Sequence, residues 1–171
     1  MSHLRFVADA DELMEAERMI ATATHYAEQY TGRKFASESV TESYDSFPTG
    51  PVELKYAPVT SIDAVSYYDW DLTLQAFSAH RLISRNNKGY MYPALGQVFP
   101  LDVVSNEPDV VTINYTAGYS AATIPAPVKS AILLIAASLW ENRENEIVGT
   151  NIKALKPTIA AKDLLHPFKV R

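Results

Sequence analysis

The chain has 171 residues, 47% of them hydrophobic and 20% charged, with a formal net charge of −5 and no cysteine. That length holds one domain, or one domain with an insertion, around a real core; without cysteine, disulfides, thiolate metal sites and cysteine nucleophiles are excluded. The acidic balance argues against a protein that grips nucleic acid through a basic surface, because such binding rests on phosphate neutralisation.

The opening residues, MSHLRFVADADE, contain no apolar core of a secretory signal, so none is expected. Asp9 reads as a helix N-cap, with Glu12 three residues on in a capping-box-like pattern. Leu13, Ala16, Ile20, Ala23, Ala27 and Tyr30 then recur at spacings of three and four, the helical period. Glu15, Arg18, Thr22, His25 and Gln29 occupy the opposite face, and Gly32 stands where a left-handed C-terminal cap belongs. This predicts a first helix over about 9–31.

After Arg33 the period changes to two. Val40, Glu42 and Tyr44 alternate with Thr41, Ser43 and Asp45, and Val52, Leu54 and Tyr56 alternate with Glu53 and Lys55. Residues 62–69 and 110–116 are rich in β-branched and aromatic types. Turn signals at 48–51, 86–89 and 105–108 separate these runs. The segment 37–116 therefore reads as a β-rich unit, antiparallel because its connections are short.

Residues 117–126 form a small-residue connector, and Pro127 suits the first turn of a helix over about 126–146. Its run 131–140 is apolar almost all round, about half of the ~20 residues a membrane span needs, so the helix must be surrounded by protein. Val128, Ile132, Ile135 and Leu139 would face the first helix; Leu133, Ala137 and Trp140 would meet the sheet or a neighbouring subunit. The abrupt charged end (Glu141, Arg143, Glu144, Glu146) reads as a rim. A loop over 148–156 and a short helix over about 158–165 lead to a basic end. The fold class is α+β, with N- and C-terminal helices packed together and an antiparallel β-rich unit inserted between them.

The four histidines, His3, His25, His80 and His166, share no metal-ligand spacing. Asp45, Asp63, Asp69, Asp71, Asp102 and Asp109 are scattered through the β-rich unit and read as turn and strand-edge residues rather than a catalytic pair. No phosphate loop and no nucleophile elbow is present. Tyr67, Tyr68, Tyr90 and Tyr92 read as sheet-face packing more readily than as a stacking platform. Trp70 reads as an exposed loop-tip aromatic able to anchor a partner, or as one folded back on the sheet. Nothing here argues for an enzyme, a cofactor or a metal. Charge is polarised: the first helix carries Asp9, Asp11, Glu12, Glu15, Glu17 and Glu28 against Arg18, and the tail carries Lys153, Lys156, Lys162, Lys169 and Arg171 against Asp163. Different neighbours at the two ends, or helix-dipole and solubility effects, account for that equally well.

As an ordered set, the residues resemble a known family. Tyr30-Thr31-Gly32-Arg33 ends the first helix, followed by Asp45-Ser46-Phe47-Pro48, Pro58-Val59-Thr60-Ser61-Ile62 and Tyr68-Asp69. Then come Val111-Thr112-Ile113-Asn114-Tyr115-Thr116-Ala117-Gly118-Tyr119, an apolar helix ending in Glu141-Asn142-Arg143-Glu144, and a closing Leu164-Leu165-His166-Pro167-Phe168-Lys169-Val170-Arg171. This order is similar to the head–tail connector (adaptor) proteins of long-tailed double-stranded-DNA bacteriophages and prophages. Two departures stand out. The family often has a glycine in the turn where this chain has Trp70-Asp71-Leu72, and a tryptophan before proline where it has Phe99-Pro100.

The resemblance implies a single connector domain over 1–171, structural and not catalytic. It implies a homo-oligomeric ring, of twelve subunits in the virion, at the head–tail junction. Such a ring sits under the portal protein, extends the DNA channel without sequence-specific binding, and docks a tail or stopper protein; the chain would be made in the bacterial host cytoplasm. Carried over by residue, portal docking falls to Leu164, Leu165, Pro167, Phe168, Lys169 and Arg171. Candidates for the subunit interface are Trp140, Arg143, Glu144, Glu15 and Arg18. The alternative is a small β-rich binding module for a glycan or protein ligand, centred on Trp70.

Overall fold

A computed structural model describes residues 10–85, 88–104, 107–120, 122–141 and 159–170. The helical period at the start becomes α1, Ala10–Thr31. Gly32, at φ 71°, ends it in the left-handed conformation that glycine adopts without steric cost. The buried line on α1 is Met19, Ala23, Ala27 and Thr31, so the expected face holds at Ala23 and Ala27 and is corrected at its other positions. Leu13 and Ile20 lie in the open. The reason is local: more than one line at three-and-four spacing runs along this helix, and the one built on Ala23 and Ala27 lets a neighbouring helix come closest.

That neighbour is α2, Ala126–Glu141, which packs on α1 and buries Val128, Ala131, Ile132, Ile135 and Ala136. The last part of the helix expected over 126–146 lies outside the described residues, as do the capping pair's Asp9, the loop over 148–156, and Arg143, Glu144 and Glu146. A short helix α3, Ile159–Leu165, packs on α2 and α1, and a 3-10 turn, His166–Phe168, follows. These helices make one compact unit, from the described parts of Met1–Thr31 and Ile124–Lys169. Gly32–Thr123, with the last residues, makes the other.

Among the described residues the β unit has seven strands. They are β1 (Glu38–Tyr44), β2 (Val52–Leu54), β3 (Val59–Tyr68), β4 (Leu74–Ala76), β5 (His80–Arg85), β6 (Lys88–Pro93) and β7 (Val111–Ala117). A four-stranded sheet runs β1-β7-β3-β4 and a three-stranded sheet runs β2-β6-β5, every pairing antiparallel. Of the turn read at 86–89, Lys88 and Gly89 belong to β6. The alternation in β7 is complete: Val111, Ile113, Tyr115 and Ala117 are buried, while Thr112, Asn114 and Thr116 face the other way. That outer face is a polar ladder, with Thr41 bonded to Asn114 (2.6 Å) and Thr116 to Asp63 (2.8 Å). Strand β3 carries two register shifts, between Val59 and Ser61 and between Ile62 and Ala64. Such bulges bend a strand.

The inner faces of both sheets share one core, from Val52, Leu54, Val65, Tyr67, Met91, Phe99 and the buried side chains of β7. Phe47 stacks on Phe99 at 4.9 Å between centroids and meets Tyr67 edge-on at 5.8 Å. The Phe99-Pro100 pair thus fills its place with a buried aromatic. Gly118 closes the end of β7. Its φ is +108°, and a Cβ there would sit 2.0 Å from the Ala36 carbonyl oxygen.

Candidate assembly surfaces

The segment expected to dock is folded onto the helical unit and is not a free peptide. Ala161 and Leu165 of α3 are 0% exposed, and Leu164 and Phe168 are half-buried. Pro167 and Lys169 are exposed. The Lys169 ammonium lies 5.3 Å from the centroid of Tyr30, whose ring stacks on Tyr26 at 6.4 Å. Of the six docking residues, Leu165 is therefore already occupied in the unit's own interior, and Arg171 lies outside the described residues.

Among the interface candidates, Arg18 and Glu15 are brought together, as an ion pair of 2.7 Å along the outer side of α1. Trp140 is half-buried in the last turn of α2, and Arg143 and Glu144 lie outside the described residues. The second apolar face of α2 is uncovered in the single chain: Leu133 is 54% exposed, with Leu134 and Ala137 exposed beside it in sequence. On α1, Leu13, Met14 and Ile20 are exposed as well, and so is Ile159 on α3.

The β3–β4 turn carries Trp70, which is 69% exposed, as the sequence allowed. It does not fold back onto the sheet, but it is held. Its indole N–H donates to the Val103 carbonyl (3.1 Å), and Val104 N–H donates to the Tyr68 carbonyl (3.0 Å). Asp69 builds the turn: its carboxylate accepts from the Thr73 amide (2.9 Å), the Asp71 amide (3.0 Å) and the Gln75 side chain (2.8 Å). Those donors, Gln75 foremost and then Thr73, hold the Asp69 carboxyl below the usual carboxylate range. Leu72 sits in the same turn at φ 57°, the left-handed region, at the place where connectors often have glycine. Tyr68, Leu72 and Leu74 are exposed with Trp70.

Several other titratable groups of the β unit are spent on the fold. Asp45 accepts the Asp109 amide, Asp63 accepts Ser61 and Thr116, and Asp102 accepts the Tyr67 hydroxyl. Glu42 is the hub of a network: the hydroxyls of Tyr115 and Tyr44 donate to it, as does the Lys55 amide at 3.0 Å. Burial first, and the Glu42 acceptor second, push both phenols well above the ordinary tyrosine range. Among the described residues no group of His, Asp and Glu is placed to hold a metal ion, and no helix is long and apolar enough to cross a membrane.

One surface was missed in the sequence. On β5, Arg81, Ile83 and Arg85 share a face, and opposite them on β6 stand Tyr92, Tyr90 and Lys88. Both guanidinium carbons lie over the Tyr92 ring, at 5.6 and 5.7 Å from its centroid. Lys88 is tied to Glu53 at 2.5 Å, but among the described residues neither Arg81 nor Arg85 has a carboxylate within ion-pair distance. The signal was available: residues 72–101 contain no Asp or Glu, a basic island in an acidic chain.

The same arrangement of helices and sheets occurs in solved particle structures. A chain in the neck of the empty gene transfer agent particle, computed with C6 symmetry, superposes with a TM-score of 0.75 over 100% of this chain and 85% of its own, at 19% identity. This chain shares the fold of that particle chain. A chain in the virion of the native gene transfer agent particle gives 0.75 at 19% identity, covering 99% of this chain and 84% of its own. One in the neck of the native particle, computed with C12 symmetry, gives 0.72 at 21% identity, covering 95% and 84%. No family model matches the sequence, and no curated protein matches it. The likeness is one of fold, end to end.

Proposed function

We propose that the chain is a non-catalytic neck protein of a phage-like particle. It assembles as a ring of identical subunits, twelve in the finished particle, at the head–tail junction beneath the portal. The ring extends the DNA channel and docks a tail or stopper protein. One observation carries the reading: the whole chain, not a fragment of it, matches the fold of chains from particle necks. The apolar side chains left open on α1 and α2 support it, because a ring joins two different patches of each subunit. On the portal side the exposed residues of the C-terminal segment, Pro167 and Lys169, with the edges of Leu164 and Phe168, form the docking surface.

The test is made in the particle. Heads assembled without this chain are expected to fill with DNA and to remain tailless, and purified chain added back is expected to restore tails. Normal tail attachment in its absence overturns the reading. Portal docking is tested by co-sedimentation of Pro167→Asp/Lys169→Glu with isolated portal. Undiminished binding removes the C-terminal segment from the contact and leaves the neck reading in place.

A further inference from the structure

The basic face of the β5–β6 hairpin and the outer stripe of α1 are complementary in charge and in shape of pattern. On α1, Leu13, Glu17 and Ile20 follow one another at spacings of four and three, so they stand on one side of the helix with Met14 next to them. All four are exposed, and among the described residues Glu17 has no cation within ion-pair distance. The stripe is a central negative charge flanked by apolar side chains, in a helix whose first turn adds Asp11 and Glu12. The hairpin face is the converse: apolar Ile83 between two cations, Arg81 and Arg85, whose guanidinium carbons both lie over the Tyr92 ring. A guanidinium resting on a ring has lost part of its rotamer freedom while its N–H edges stay open to an acceptor.

We infer that these two faces meet between adjacent copies of the chain, α1 of one copy seated on the β5–β6 hairpin of the next. The inference rests on the ring reading above and names the contact that closes the ring. Two unlike patches joined head to tail are what a cyclic assembly requires. Opposite charges set among apolar side chains give such a contact its register and exclude pairing of like faces. Duplex DNA is the other polyanion the arginines could meet, but in an acidic chain the neighbouring acidic helix offers both charge and apolar surface, which phosphate does not.

The chain's lack of cysteine makes the test clean. Glu17→Cys and Arg85→Cys are made separately and together, then oxidised under conditions in which the wild-type chain forms rings, at high concentration or on portal. Each single variant is expected to give no disulfide-linked dimer, their mixture to give dimers only, and the double variant to give a ladder of multimers. In parallel, Arg81→Glu/Arg85→Glu and Glu12→Lys/Glu17→Lys are each expected to weaken self-association about ten-fold or more. Mixing the two reversed variants is expected to restore pairing. Rings that form normally from both reversed variants, with no ladder from the double-cysteine chain, overturn this contact and leave the ring reading standing. Arg81→Glu/Arg85→Glu rings that have lost only DNA binding also overturn it. A wild-type chain that forms no ring even on portal overturns both.

Discussion

The Tyr115 hydroxyl donates to Glu42 and accepts the Tyr56 amide (3.2 Å), so one oxygen atom joins β7 to β1 and to the chain just after β2. Tyr115→Phe keeps the ring's packing and strands those partners; a cost of about 1.5–3 kcal/mol is expected in urea unfolding. The same network sets an alkaline limit. Tyr44 and Tyr115 hold their protons more tightly folded than unfolded, first because they are buried and second because Glu42 accepts from them. Their contribution is therefore complete below the unfolded tyrosine value of about 10 and is lost as pH rises above it. A tyrosinate absorbance titration of the folded chain, which has ten tyrosines, is expected to leave these phenols silent until the β unit opens. Full titration of every tyrosine near pH 10 with the fold intact contradicts it. Leu72 is the opposite case, a residue whose replacement helps. It is exposed and left-handed at φ 57°, a conformation that costs an L-residue about 1–2 kcal/mol. Leu72→Gly relieves that cost and gives back part of it as unfolded-chain entropy. A net gain of up to about 1 kcal/mol is expected in the same urea assay, and a loss refutes the strain argument.

At the scale of elements, α3 decides whether the C-terminal segment is a peptide or a part. With Ala161 and Leu165 fully buried, removal of everything after Lys156 takes away core, not only a docking strip. Leu165→Ala alone is expected to cost about 2–5 kcal/mol, read by thermal unfolding followed in the helical signal. A truncated chain as stable as the whole refutes this placement. Gly118→Ala is expected to be at least as damaging to the β unit, because its Cβ would meet backbone that cannot step aside. Helix α1 was legible from its period and α2 from its proline start and apolar run, and β1 and β7 were legible where alternation and β-branched residues coincide. The buried side of α1 was legible only in part: Ala23 and Ala27 were on the expected face, but the buried line runs on through Met19 and Thr31 rather than Leu13 and Ile20, because period fixes a helix without saying which of its stripes a partner selects. Strand order was not legible either. Strand β7 pairs with β1 and β3, both far off in sequence, through a core that closes only when the sheets meet. The β5–β6 face escaped notice because the total charge hides a local excess, and pairing alone puts Arg81 and Arg85 beside Tyr92.

At the scale of the whole molecule, several large apolar side chains lie exposed, and Trp70 is the sharpest case. A mobile exposed tryptophan has to be ordered before it binds, which costs a partner part of the gain. Trp70 is ordered in advance, by the Val103 carbonyl on its indole and by the three donors that hold the Asp69 carboxylate in the turn beneath it. A rigid aromatic at a loop tip, with Leu72 and Leu74 beside it, has the make-up of a hot spot. If the proposed neck reading holds, the partner such an anchor would serve is the next protein along the particle axis. Trp70→Ala removes little internal packing, so thermal stability and ring formation are expected to stay close to wild type while attachment of that protein drops about thirty-fold, the scale of a 2 kcal/mol anchor. Asp69→Asn keeps the indole but weakens the turn, so a smaller loss is expected at neutral pH. Because Asp69 titrates below the usual carboxylate value when folded, its share of the turn is present above the unfolded value of about 4 and fades as pH falls below it. Tail attachment is then expected to weaken on acidification in wild type and to respond less in Asp69→Asn. If Trp70→Ala particles carry their full complement of neck and tail proteins, the tip is no anchor, and the exposed tryptophan belongs to the surface of the ring alone.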